Sequence, residues 1–92
     1  MSAPQSGCML TVMARFMLEH MHTAGECGAV FASFKAFDTP LRHRVMPGSC
    51  HFGAHRIWWE VEADTADEAL AQLPRYVAER TTALPIRDLQ TP

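Results

Sequence analysis

The chain has 92 residues, 48% of them apolar and 20% charged, with a formal net charge of -2. That length is one domain, and a domain so small buries only about 60–70% of its unfolded surface, so a partner subunit would add to its stability. A slightly acidic chain offers no field for phosphate backbones, which excludes nucleic acid as an expected partner, and no apolar run approaches the roughly 18 residues of a membrane span.

The opening MSAPQSG has neither the positive charge nor the apolar stretch of an export signal. Residues 1–8 are expected to be a disordered lead, and 9–90 a single soluble domain of the cytoplasm. Cys8, Cys27 and Cys50 are odd in number and form no C-x-x-C pair. They read as reduced thiols, and suggest neither a disulfide framework nor a zinc ribbon.

Residues 9–19, MLTVMARFMLE, predict a first strand, with Val12, Ala14, Phe16 and Leu18 on one face and Met13, Arg15 and Met17 on the other. T-A-G-E at 23–26 is a capping box that opens a helix. Cys27, Val30, Phe31, Phe34 and Phe37 then recur at helical spacing, a core stripe of three to four turns that ends at Asp38-Thr39-Pro40. Residues 41–52 predict a second strand. Pro47 cannot donate to a ladder, so this strand is expected to be short, bulged and at a sheet edge.

Gly53-Ala54 supplies a turn, and HRIWWEVEA is the strongest strand, with Ile57, Trp59 and Val61 on one face and Trp58, Glu60 and Glu62 on the other. T-A-D-E at 65–68 caps a second helix through Leu73. Pro74 either ends that helix or begins a separate turn containing Tyr76 and Val77. Residues 79–90 read as a terminal strand around Pro85. The order β-α-β-β-α-β predicts an α+β ferredoxin-like plait: a four-stranded antiparallel sheet, its first and third strands central, with two helices on one face.

The run LRHRVMPGSCHFGAHRIWWEVEADTADEALAQLPRYVAERTTALPIRDL, from Leu41 onward, has an Arg-His pair before the second strand, a glycine turn and an aromatic third strand ending in an acid. It continues with EAL, QLP and a tyrosine before the last strand. In these features it resembles the small dimeric α/β-barrel families, and is similar to muconolactone isomerase-like proteins. The resemblance covers about half the chain. It implies a ferredoxin-like subunit whose open sheet face packs on a second copy, a homodimer enclosing a small polar-lined pocket. The assembly is what the resemblance carries over, not the reaction.

The residues themselves point to the same assembly, because Met13, Met17 and Trp58 would share the open face with Arg15 and Glu60, apolar area that a second copy would cover. A pocket there would have Arg15 and Glu60 as polar groups, Met13, Met17 and Trp58 as walls, and His43, His51 and His55 at its rim. The expected function is binding or isomerising a small organic acid, a histidine carrying the proton. The alternatives are a non-catalytic dimerisation module and a histidine-based metal binder.

His51 and His55 flank a turn and are expected to be solvated. His20, His22 and Glu26 form an H-x-H…E set that suits zinc or nickel, but a polar loop is the simpler reading. No cofactor and no resident metal are expected, since a closed zinc site needs four converging ligands and no second clustered pair is evident. Cys50 reads as a small apolar side chain. Arg42, His43 and Arg44 read as charge guarding a sheet edge, or as a carboxylate clamp at a pocket mouth.

Overall fold

Strict alternation decides the sheet. In β1 (Ala14–Met21), Phe16, Leu18 and His20 are buried while the residues between them stay partly open to solvent. β2 (Arg56–Ala63) buries Ile57, Trp59, Val61 and Ala63 in the same rhythm. These rows match because a side chain period of two puts each strand's apolar set on one face. A computed structural model describes residues 14–92 of the protein. The expected lead at 1–8, Cys8, Met13 and the first part of the expected first strand lie outside the described residues.

β1 is the middle strand, antiparallel to β2 on one side and to β3 (Thr81–Ile86) on the other. Leu18 sits between Trp59 and Ala83, and His20 between Ile57 and Thr81. Three short helices cover this face or flank it: α1 (Cys27–Ser33), α2 (Ala66–Leu70) and α3 (Arg75–Ala78). They supply Val30, Ala69 and Val77, which with Leu18 and Ile57 are almost fully buried. Each fully buried aliphatic side chain stabilises the fold by about 1.5–3 kcal/mol.

The four-stranded ferredoxin-like plait expected from the sequence is not what the chain forms. Among the described residues the sheet has three strands, and residues 41–55 contribute a single bridge, Gly48 to Ile57. Around that bridge the Trp58 N–H donates to the Pro47 carbonyl at 3.0 Å and the Ser49 N–H to the Arg56 carbonyl at 2.8 Å. The ladder goes no further because Pro47 has no N–H to give and because the flanks are committed elsewhere. Leu41, 3% exposed, plugs the core, and Cys50–Phe52 wind into a 3-10 turn. β2 therefore has one bridge beyond it where a full strand was expected.

The two expected helices are also replaced. A 3-10 turn at Ala24–Glu26 leads into α1, which stops after Ser33, whose hydroxyl donates back to the Val30 carbonyl at 2.7 Å. Only Val30 of the expected stripe is fully buried on α1; Phe31 is 47% exposed. The stripe is thus half core and half wall of a cleft. The second helix breaks at Pro74, leaving α2 capped by Thr65, whose hydroxyl accepts from the Glu68 N–H at 3.1 Å, and α3 beginning at Arg75. Among the described residues no helix is long and apolar enough to cross a membrane.

Candidate metal centre

Where β1 runs out, two hydrogen bonds hold its end: the Met21 N–H donates to the Arg80 carbonyl at 3.0 Å, and the His22 N–H to the His55 carbonyl at 3.2 Å. Glu26 then tightens the turn, its carboxylate accepting from the Thr23 N–H at 2.9 Å and from the Arg80 guanidinium at 3.1 Å. Those two contacts, the Thr23 N–H first, hold the Glu26 carboxyl below its usual range. The turn delivers Cys27 as the first residue of α1, next to His22.

The second half of the centre comes from a loop that β2 closes on itself. Ser49 and Arg56 pair across its base, with the Arg56 N–H donating to the Ser49 hydroxyl at 3.1 Å. Within it, Gly53 has φ 90° and His55 φ 54°. The left-handed region is free for glycine and costs a histidine about 1–3 kcal/mol, a conformation kept only where the surroundings enforce it. The result places Cys50 and His55 beside His22.

One ligand atom from each of His22, Cys27, Cys50 and His55 lies within 4.8 Å of all the others. Nε2 of His22 is 3.7 Å from Sγ of Cys50. In a tetrahedral site with Zn–S of about 2.3 Å and Zn–N of about 2.0–2.1 Å, a sulfur and a nitrogen stand roughly 3.5–3.6 Å apart. That edge of the tetrahedron is already close to its final length.

A hydrogen-bond relay behind His22 fixes which of its nitrogens faces the cluster. The Val77 carbonyl can only accept, so the Thr81 hydroxyl, 2.6 Å away, donates to it. Thr81 then accepts from Nδ1–H of His20 at 3.0 Å. His20 is wholly buried; burial first, then the neighbouring His22, push its pKa down, which favours the neutral ring, whose Nε2 accepts when Nδ1 carries the proton. In that tautomer Nδ1–H of His22 donates to it at 3.0 Å. The lone pair of His22 Nε2 is left pointing at Cys50.

Nδ1 of His55 is buried and has no hydrogen-bond partner among the described residues. Such a group costs about 1–3 kcal/mol unless something outside the chain satisfies it. The Cys50 thiol is pushed up, by burial first and by the adjacent Cys27 second, so in the metal-free chain it keeps its proton. A bound cation would displace that proton.

The residues singled out from the sequence are divided by this geometry. His20 and His22 do meet, but only His22 belongs to the converging cluster while His20 stands behind it, and Glu26 is tied to Thr23 and Arg80 instead of completing an H-x-H…E set. His55 joins the cluster while His51 is exposed on the 3-10 turn. Arg15 and Glu60 pair at 3.0 Å, with Asp88 also on Arg15 at 2.9 Å; with Met17 and Trp58 they lie on the opposite face of the sheet. His43 lines a separate cleft of about 300 Å³.

Cys27 and Cys50 are the members of the cluster that residue patterns missed. The available signal was the mirrored spacing H-x4-C at 22–27 and C-x4-H at 50–55, a pair of donors on each side of a turn. No family model, curated protein or solved structure matches this chain.

Proposed function

We propose that this protein is a zinc-binding domain in which His22, Cys27, Cys50 and His55 hold one ion. The observation that carries the reading is the convergence of one ligand atom from each of these four side chains within 4.8 Å of all the others, and the hydrogen bonds of Thr81 and His20 behind His22 support it. The unsatisfied Nδ1 of His55 supports it. Two thiolates and two imidazoles in a tetrahedral arrangement suit zinc above harder cations. With four protein ligands the shell is closed, leaving no position for a reacting water, so the ion's role is to tie the fold rather than to catalyse hydrolysis. The cytoplasm suits such a domain, because the two thiols stay reduced there.

Titrating the reduced protein with cobalt(II) tests this. Tetrahedral coordination by two thiolates should give intense visible bands and sulfur-to-metal charge transfer, saturating at one cobalt per chain and bleached by zinc. The Cys27→Ser/Cys50→Ser variant should lose both features. A weak octahedral spectrum, or a double variant that binds as the parent does, rejects the assignment.

A further inference from the structure

The cleft that His43 lines has no part in the metal centre, and it has a chemistry of its own. Its floor is made of Phe31, Phe34, Leu41, Met46 and Trp59, and its rim of Lys35, Arg42, His43 and Arg44. The volume, about 300 Å³, is at the lower end of what small-molecule sites enclose. Phe34 and Trp59 meet at 6.1 Å between ring centroids, tilted by 41°, so two of the walls are aromatic surfaces.

The charges at the rim are unbalanced in a chain that is acidic overall. Of the eight Lys and Arg side chains, Arg15, Arg56, Arg75 and Arg80 are in salt bridges. Lys35, Arg42, Arg44 and Arg87 are in none among the described residues, and the first three all line this cleft. Three like charges around one apolar hollow repel one another, and each gains from an anion seated between them.

The turn that carries the cations is fixed in advance. The Thr39 hydroxyl, buried, donates to the Gln72 carbonyl at 2.6 Å and accepts from the Leu41 N–H at 3.3 Å. Leu41 is driven into the core, and His43 is held at φ 65°, a strained conformation at the centre of the Arg-His-Arg run. Strain that the surroundings enforce is found where a side chain must be aimed. Ordering the rim before binding lowers the entropy that a ligand must overcome.

We propose that this cleft binds a small amphiphilic organic anion, a flat or chain-like apolar body bearing one carboxylate. The apolar body would lie against Phe34 and Trp59, and the carboxylate between Arg42 and Arg44, whose guanidinium groups match it in bidentate fashion. An inorganic anion would leave the floor uncovered, and a neutral hydrocarbon would leave the cations unbalanced.

Isothermal titration calorimetry on the zinc-loaded full chain tests the proposal with phenylacetate, naphthoate and octanoate, phenylacetamide as the neutral counterpart, and inorganic phosphate. At least one carboxylate should bind one per chain and about tenfold or more tighter than phenylacetamide or phosphate, the factor expected of one charge-assisted contact. Preference for naphthoate or for octanoate distinguishes an aromatic from an alkyl acid. Arg42→Met/Arg44→Met should lower affinity about tenfold or more without changing the melting temperature, and the Trp59 indole N–H resonance should move on binding. Absence of binding by all three carboxylates, equal binding of the amide, or a double variant with undiminished affinity overturns it.

Discussion

His20 is completely buried, yet it supplies none of the four atoms of the metal cluster; its Nε2 lies 3.0 Å from the ring nitrogen of His22 that faces away from Cys50. In the proposed centre it would position His22 and fix its tautomer, in the manner of the outer partners that usually orient metal-bound histidines. Replacing His20 by Ala should weaken zinc binding about 10- to 100-fold, read by competition against a chromophoric chelator under conditions where the variant is folded. Thr81→Val, which breaks the far end of the relay, should act in the same direction, and Thr81→Ser should keep parental affinity. An unchanged zinc affinity in His20→Ala would remove the relay from the account. The H-x-H pair was legible because the two histidines are neighbours in sequence. Nothing local relates Cys27 to Cys50, whose approach depends on a loop folding back onto α1, so the sulfur half of the centre stayed hidden.

At the scale of elements, the segment 41–55 shows where pattern reading stops. Its place between a helix stop and a strong strand suggested a short, bulged edge strand, but Pro47 withdraws a donor, Leu41 turns inward and Gly53 allows the chain to close a loop instead, leaving the single Gly48–Ile57 bridge. β1 and β2 were legible because their core-facing apolar residues repeat every second position, and β3 as the apolar run around Pro85. The helices were overestimated in length because the Phe spacing does not distinguish a buried stripe from one that borders a cleft. Two glycines with open space around the missing Cβ separate the effects. At Gly53, φ 90° makes Ala strained despite the room, so Gly53→Ala should destabilise by about 1–2 kcal/mol and loosen zinc binding by shifting Cys50 against His55. Gly28, inside α1 and equally uncrowded, should respond with the opposite sign, Gly28→Ala stabilising by up to about 1 kcal/mol. Urea unfolding of both variants checks the pair, and destabilisation at both sites would mean that crowding rather than backbone conformation governs them.

Over the whole molecule, the proposed ion would join the end of β1, the start of α1 and the loop before β2. Zinc at a hundredfold excess over its dissociation constant should therefore stabilise the chain by about 2.7 kcal/mol, raising the melting temperature by more than about 10 °C in a domain of this size. Chelation should reverse the gain, and Cys27→Ser/Cys50→Ser should be indifferent to either. The other face of the sheet poses a separate question. There Met17 lies between Glu60 and Leu84 across the strands, Met21 opposes Arg56, and Trp58 opposes Glu19. Met21 and Leu84 are about half exposed, and among the described residues no helix covers this side. The ion pairs Arg15–Glu60 and Arg56–Glu19 flank the apolar centre. We propose the homodimer anticipated from the sequence, built on this face. Sedimentation at micromolar concentration should show a two-chain species, and Trp58→Glu, which puts a charge at its centre, should shift it to single chains while the cobalt spectrum stays intact, since Trp58 points away from the metal centre. A parent protein that sediments as one chain would leave this face to solvent and end the case for a dimer without touching the metal site.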